Sequence, residues 1–176
     1  MLVIAATDRE LAGVAEGVAC GSGPVDAAAA TARALAERRP DAVLHVGVAG
    51  AHGFAGPQLV LGSEALYCDT DSAWVERRVE PDARLLAAAR AAFPDARVCP
   101  IGTSARVGGT SGCDVEAMEG FAVLRACALA GVPALEVRAL SNEIGEPDRA
   151  RWRIDDGLAL LRDTLPRLLE ALDAHT

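Results

Sequence analysis

Two hydrophobic patterns share this chain of 176 residues. Short apolar runs stop at glycine or polar punctuation, and longer Ala- and Leu-rich stretches lie between them. The short runs predict strands at residues 2–6, 17–20, 41–46, 59–67, 97–102 and 134–140, the run at 59–67 being either one bent strand or a pair. Helices are predicted at 24–38, where Pro24 suits a first helical position, at 81–93 with Asp82 near its start, at 115–130, and at 155–173. A short helix after residue 7 is expected from Thr7 or Asp8 as N-cap, with Glu10 in its first turn. In the last helix Leu158, Leu161, Leu165, Leu168, Leu169 and Leu172 form an apolar stripe, and Pro166 should kink it or start a second segment. Residues 68–79 read as polar and irregular. Strands alternating with helices predict a three-layer α/β sandwich: a mixed, mostly parallel central sheet flanked by helices, in one domain over 1–176.

Composition narrows this picture. The chain is 51% hydrophobic but only 3% aromatic, so its core is built of Ala, Val and Leu, which suits helices packed closely on a sheet. All seventeen basic residues are arginines, which rules out a lysine Schiff base. A net charge of −8 without a basic block argues against nucleic acid as a partner. The N-terminus has no leader pattern and no apolar run long enough to span a membrane, and five cysteines without C-x-x-C pairing fit reduced thiols; a cytoplasmic location is expected. His45, His52 and His175 have no metal-ligand spacing, and His45, inside an apolar strand, reads as a core histidine. Asp69 and Asp71 near Trp74 lack a third ligand, so no metal and no cofactor is expected. Gly21-Ser22-Gly23 is not a dinucleotide fingerprint, since no G-x-G-x-x-G follows.

The chemistry concentrates at residues 114–149. The stretch after Asp114 is apolar on nearly every side, with Arg125 its only charge after Glu116 and Glu119, then stops at Gly131 and Pro133. An acid near a helix start is favoured by the helix dipole, which accounts for Glu116; Glu119, between Met118 and Phe121, would be buried and would need partners, which a sugar diol supplies as well as protein does. The order E-x-M-E-G (116–120), G-V-P (131–133), V-R-A-L-S-N (137–142) and G-x-x-D-R-x-x-W (145–152) resembles the purine nucleosidase and nucleoside phosphorylase superfamily, and within it the futalosine hydrolases of menaquinone biosynthesis.

That resemblance implies a nucleoside phosphorylase-like fold and hydrolysis of the N-ribosyl bond of futalosine, releasing hypoxanthine. It implies Glu10, just past the first strand, as the base activating water, and Glu119 as the ligand of the ribose diol. Met118 would pack under the sugar, Ala49 and Val107 would line the pocket from the 47–50 turn and the 103–112 loop, and Asn142 would face the purine. Adenine-releasing members carry Asp where Asn142 stands; an amide offers a donor and an acceptor side by side, which suits a 6-oxopurine. Phosphorolytic members often place a hydroxyl where Val48 stands. The partner is a small purine nucleoside, and a homodimer or higher homo-oligomer is implied, with the loop 52–57 as candidate contact. A methylthioadenosine/S-adenosylhomocysteine-type nucleosidase, a purine nucleoside phosphorylase, or a silent nucleoside-binding homologue remain alternatives, the last because the segment after Glu10 is shorter than the family's.

Overall fold

The computed structural model describes residues 1–108 and 112–174. Eight strands form one sheet: β1 (Leu2–Ala5), β2 (Gly17–Ala19), β3 (Val43–Ala51), β4 (Leu59–Tyr67), β5 (Arg78–Val79), β6 (Arg97–Thr103), β7 (Val115–Ala117) and β8 (Ala134–Glu143). The helices are α1 (Pro24–Arg38), α2 (Ala83–Ala92), α3 (Gly120–Ala130) and α4 (Ile154–Asp173), with a 3-10 turn at Arg149–Arg151. The expected mixed, mostly parallel sheet flanked by helices is what forms, and it closes partly on itself. β3 pairs β7 and β8, β8 also pairs β4, and β4 joins β7 through β6, so these five strands make a ring from which β1, β2 and β5 extend.

Side-chain alternation divides the core into layers. Val3, Ala5, Leu44, Val46, Leu135 and Val137 point to one face, where α2 and α4 supply Leu85, Leu161, Leu165, Leu168 and Leu172. Leu2, Ile4, Val43 and Ala134 point to the other, under Ala27, Leu35, Val123, Leu124 and Cys127 of α1 and α3. Burial at roughly 25 cal/mol per Å² of apolar surface drives both layers. Asp82 caps α2 by accepting from the amides of Arg84 and Leu85. α4 runs through Pro166 as one helix rather than starting a second segment.

Several expectations need correction. Residues 115–117 are a strand, because their backbone pairs with β3 and β6, and the helix begins only at Gly120. Glu116 is therefore a strand residue and not a first-turn acid. The segment after β1 is a series of turns with no helix. β3 continues through Gly47-Val48-Ala49-Gly50 and β8 through Ser141 and Asn142, since the two strands pair along their whole length with a register shift at Ala49/Gly50.

Candidate active site

A cavity of about 280 Å³ lies at the ends of β1, β3, β7 and β8, close to the lower end of small-molecule pockets, roughly 300–1,000 Å³. All the residues expected from the sequence line it: Glu10, Ala49, Val107, Met118, Glu119 and Asn142. Residues 109–111 of the 103–112 loop lie outside the described residues, as does His175. Thr7, Ser22, Glu116, Ile144 and Trp152, with Ile154 and Leu158 of α4, line it too and were not expected from the sequence.

The turns after β1 carry Glu10 inward, where three donors fix its carboxylate. Oε2 accepts from the backbone N–H and the hydroxyl of Thr7, each at 2.9 Å, and Oε1 accepts from Val48 N–H at 3.1 Å. Each carboxylate oxygen has two lone pairs, so only one on Oε1 stays open. Gly47 makes this arrangement possible: a Cβ there would stand within 3.0 Å of both Glu10 Oε1 and Arg138 Nη1. The missing side chain at this strand position thus serves the protein's own side chains.

Glu119 occupies the N-cap position of α3, yet its side chain makes no cap bond. The Thr103 hydroxyl instead accepts from Phe121 N–H at 2.8 Å, which leaves the Glu119 carboxylate free to turn toward the sheet. There Oε1 accepts from Gly23 N–H at 2.9 Å, and Oε2 lies 3.7 Å from Arg138 Nη2. Burial pushes the Glu119 carboxyl above the usual carboxylate range, against the opposing pull of Arg138 and of the Gly23 amide. Glu116, also buried, accepts from Gly108 N–H at 3.2 Å and makes a third acid in the cavity wall.

Asn142 has a fixed amide orientation. Its Nδ2 donates to the Glu143 carbonyl at 3.1 Å, and a carbonyl only accepts, so Oδ1 must be the atom 2.9 Å from the Ser141 hydroxyl. One N–H and one carbonyl lone pair remain for a ligand. Below the floor, Glu136 and Arg138 are fully buried charges on the α1–α3 face of β8, and neither was expected to matter. Two charged residues at i and i+2 in an otherwise apolar run were the available signal. His45, expected as a core histidine, is fully buried beside them. Cys20, next to Glu119 and Arg138, has its thiol pushed up to about 12 by burial, so it is no nucleophile. Asp69 accepts from the Ser104 hydroxyl and the Ala105 amide, each at 2.7 Å.

Among known proteins, residues 14–108 match the profile of the phosphorylase superfamily. The chain is 36% identical to the futalosine hydrolase of Streptomyces coelicolor over 190 residues, covering 89% of this chain and 79% of that one. A second futalosine hydrolase, from Thermus thermophilus, is 47% identical over 58 residues, 33% of this chain and 26% of that one. Among solved structures, the 5′-methylthioadenosine/S-adenosylhomocysteine nucleosidase of Neisseria meningitidis, in complex with methylthio-immucillin-A, aligns with a TM-score of 0.85 at 22% identity, over 97% of this chain and 98% of that one. The Streptococcus pneumoniae nucleosidase in complex with 8-aminoadenine gives 0.85 at 22%, over 97% and 99%. At such identities the structures speak for the fold, while the sequence match to the first relative reaches further: this chain belongs to the phosphorylase superfamily and, within it, to the futalosine hydrolases.

Proposed function

We infer that this chain is an N-glycosyl hydrolase that cleaves the N-ribosyl bond of futalosine, releasing hypoxanthine and dehypoxanthine futalosine in menaquinone biosynthesis. The observation that carries the reading is the sequence identity along nearly the whole chain to a futalosine hydrolase, with every expected site residue lining one cavity.

Breaking an N-ribosyl bond builds positive charge on the sugar, and the acids of this cavity suit that charge. Glu10 is the general base: the one open lone pair of Oε1 takes the proton of the attacking water, and its other three lone pairs hold it in place. Glu119 binds the ribose diol through the carboxylate lone pairs that the Gly23 and Met118 amides leave open. Met118 packs under the sugar. Asn142 presents its free N–H and carbonyl lone pair to the edge of a 6-oxopurine. Ile144, Trp152, Ile154 and Leu158 make an apolar wall that keeps bulk water from the sugar cation.

Water rather than phosphate is the nucleophile. Val48 offers no hydroxyl, and its amide is already given to Glu10, so this position has nothing for phosphate. The chain acts as one domain and as a homodimer in the cytoplasm, with the loop 52–57 at the subunit contact. Glu143 braces that loop by accepting from the amides of Gly53 and Phe54 at 3.1 and 2.7 Å. No described helix is long and apolar enough to cross a membrane.

The test is base release from futalosine, inosine and methylthioadenosine, with and without phosphate. Futalosine should be the best substrate, phosphate should leave the rate unchanged, and the sugar should carry a free anomeric hydroxyl. A sugar 1-phosphate would overturn the hydrolytic reading, and faster release from methylthioadenosine would overturn the substrate. Light scattering should give twice the 18.1 kDa chain mass, and the monomer mass would remove the dimer.

A further inference from the structure

Arg138 is held from two sides. Its Nε donates to Glu136 Oε1 at 2.8 Å. Its Nη2 faces His45 Nε2 at hydrogen-bonding distance. The other ring nitrogen, Nδ1, lies 3.0 Å from the Ile4 carbonyl, which can only accept. Nδ1 therefore carries the ring hydrogen, and Nε2 is left as an acceptor for Arg138. His45 is neutral: burial first, and the Arg138 charge second, hold its pKa well below the usual histidine value.

The strands put these groups in reach of one another. β3 and β8 run in register with His45 beside Glu136 and Gly47 beside Arg138. Two missing side chains make the room. The guanidinium fills the space over Gly47, and the Glu136 carboxylate fills the space over Gly120, where a Cβ would stand well inside 3.0 Å of it. So held, Arg138 Nη2 stops 3.7 Å from Glu119 Oε2, close enough for charge but too far for a hydrogen bond.

We propose that His45 and Glu136 are positioning residues that tether Arg138 at this standoff, so that its charge reaches Glu10 and Glu119 while the outward lone pairs of both carboxylates stay open to ligand. An untethered guanidinium in so buried a place would close onto Glu119 as a charge-assisted pair and compete with the ribose diol. The groups that face Arg138 are Glu10 after β1, the Cys20 thiol after β2, His45 on β3, Glu119 at the start of α3 and Glu136 on β8. Removing the Glu136 charge and bringing Arg138 closer both favour the ionised form of Glu119, so the two effects have the same sign.

The roles of Glu10 and Glu119 rest on the nucleosidase reading above, and the tether itself does not. His45→Leu and Glu136→Met each cut one arm. Each should raise KM for futalosine at least fivefold with kcat changed less than threefold, and should move the acid limb of kcat/KM to lower pH. Glu136→Gln keeps the acceptor and should show a KM at least fivefold below that of Glu136→Met. A smaller KM rise in the folded tether-cut variants, an acid limb displaced upward, or no rescue by Gln would overturn the proposal. A substrate-free measurement on the wild type decides it if those variants do not fold. Nitrogen NMR of Arg138, assigned by the loss of its signals in Arg138→Lys, should show separate Nη1 and Nη2 resonances, and one averaged resonance would overturn the tether. Failure of the wild type to release base from futalosine would instead sink the substrate reading and leave the NMR result standing.

Discussion

Replacing Gly120 with alanine should destabilise the protein through a residue that Gly120 does not pair with. The new Cβ would stand well inside 3.0 Å of both Glu136 carboxylate oxygens. Glu136 is fully buried between packed neighbours on β8, so its carboxylate can only swing away from Arg138 Nε. Breaking a buried ion pair of this kind costs roughly 3–5 kcal/mol. Alanine offsets that by at most about 1 kcal/mol through its better helix propensity at the start of α3. The net is a loss of about 2–4 kcal/mol, and at roughly 2–4 °C per kcal/mol for a chain of this size the melting temperature should fall by about 5–15 °C. Calorimetry on wild type, Gly120→Ala, Glu136→Ala and the double variant reads the coupling directly. Once Glu136 is shortened the new methyl has nothing to displace, so the double variant should be no less stable than the worse single one. A melting temperature within 2 °C of wild type for Gly120→Ala, or strictly additive losses, would refute the reasoning.

Glu10→Gln should lower kcat by roughly 10²–10⁴ while futalosine binding by calorimetry stays near wild type, since the amide keeps the shape but cannot take the water's proton; near-normal turnover would remove Glu10 as the base. Glu119→Gln should weaken binding and rate together, and in the wild type kcat/KM should fall on acidification with a midpoint above the ordinary glutamate value of 4.5, because burial raises the Glu119 carboxyl. Asn142→Asp should shift preference from hypoxanthine nucleosides toward adenine ones, which direct competition between futalosine and its 6-amino counterpart measures; equal rates on both bases in the wild type would show that Asn142 does not select. His45 adds a stability term with a definite sign: its folded pKa is depressed, so its contribution is full above the unfolded value of about 6.5 and is lost as pH falls below it. Denaturant titrations from pH 7 to 5 should show wild type losing about 1–2 kcal/mol relative to His45→Gln, and parallel curves would contradict this.

How much of this could be read beforehand depended on whether the deciding force was local. The helix at 24–38 was legible residue for residue, because Pro24 and an alanine run act within the segment itself. The stretch 115–117 was read as helix because its apolar residues fit either period, and what makes it a strand is pairing with β6, across the intervening loop, and with β3, which lies far off in sequence. Gly47 looked like part of a turn, and Asn142 lay past the expected end of its strand. In the fold they stay in extended strands, where Gly47 makes room for Arg138 and Asn142 turns into the cavity. Glu119 was legible from its place between Met118 and Phe121 and Glu10 from its place just past the first strand, both through the family resemblance, whereas Glu116 was not. The Glu136–Arg138–His45 group was not, because only the register of β3 against β8 brings the three together.

β8 has a consequence for synthesis. It is the last strand among the described residues, yet it sits between β3 and β4 and closes the ring. During translation the inner edges of β3 and β4 therefore wait, unpaired and apolar, for a partner that emerges about 70 residues after β4 ends, several seconds later at roughly 5–20 residues per second. Open edges of that kind recruit other chains. The nascent protein should accordingly depend on a chaperone that shields sheet edges, and a ribosome stalled before residue 134 should release aggregating product, while one stalled well beyond residue 143 should not.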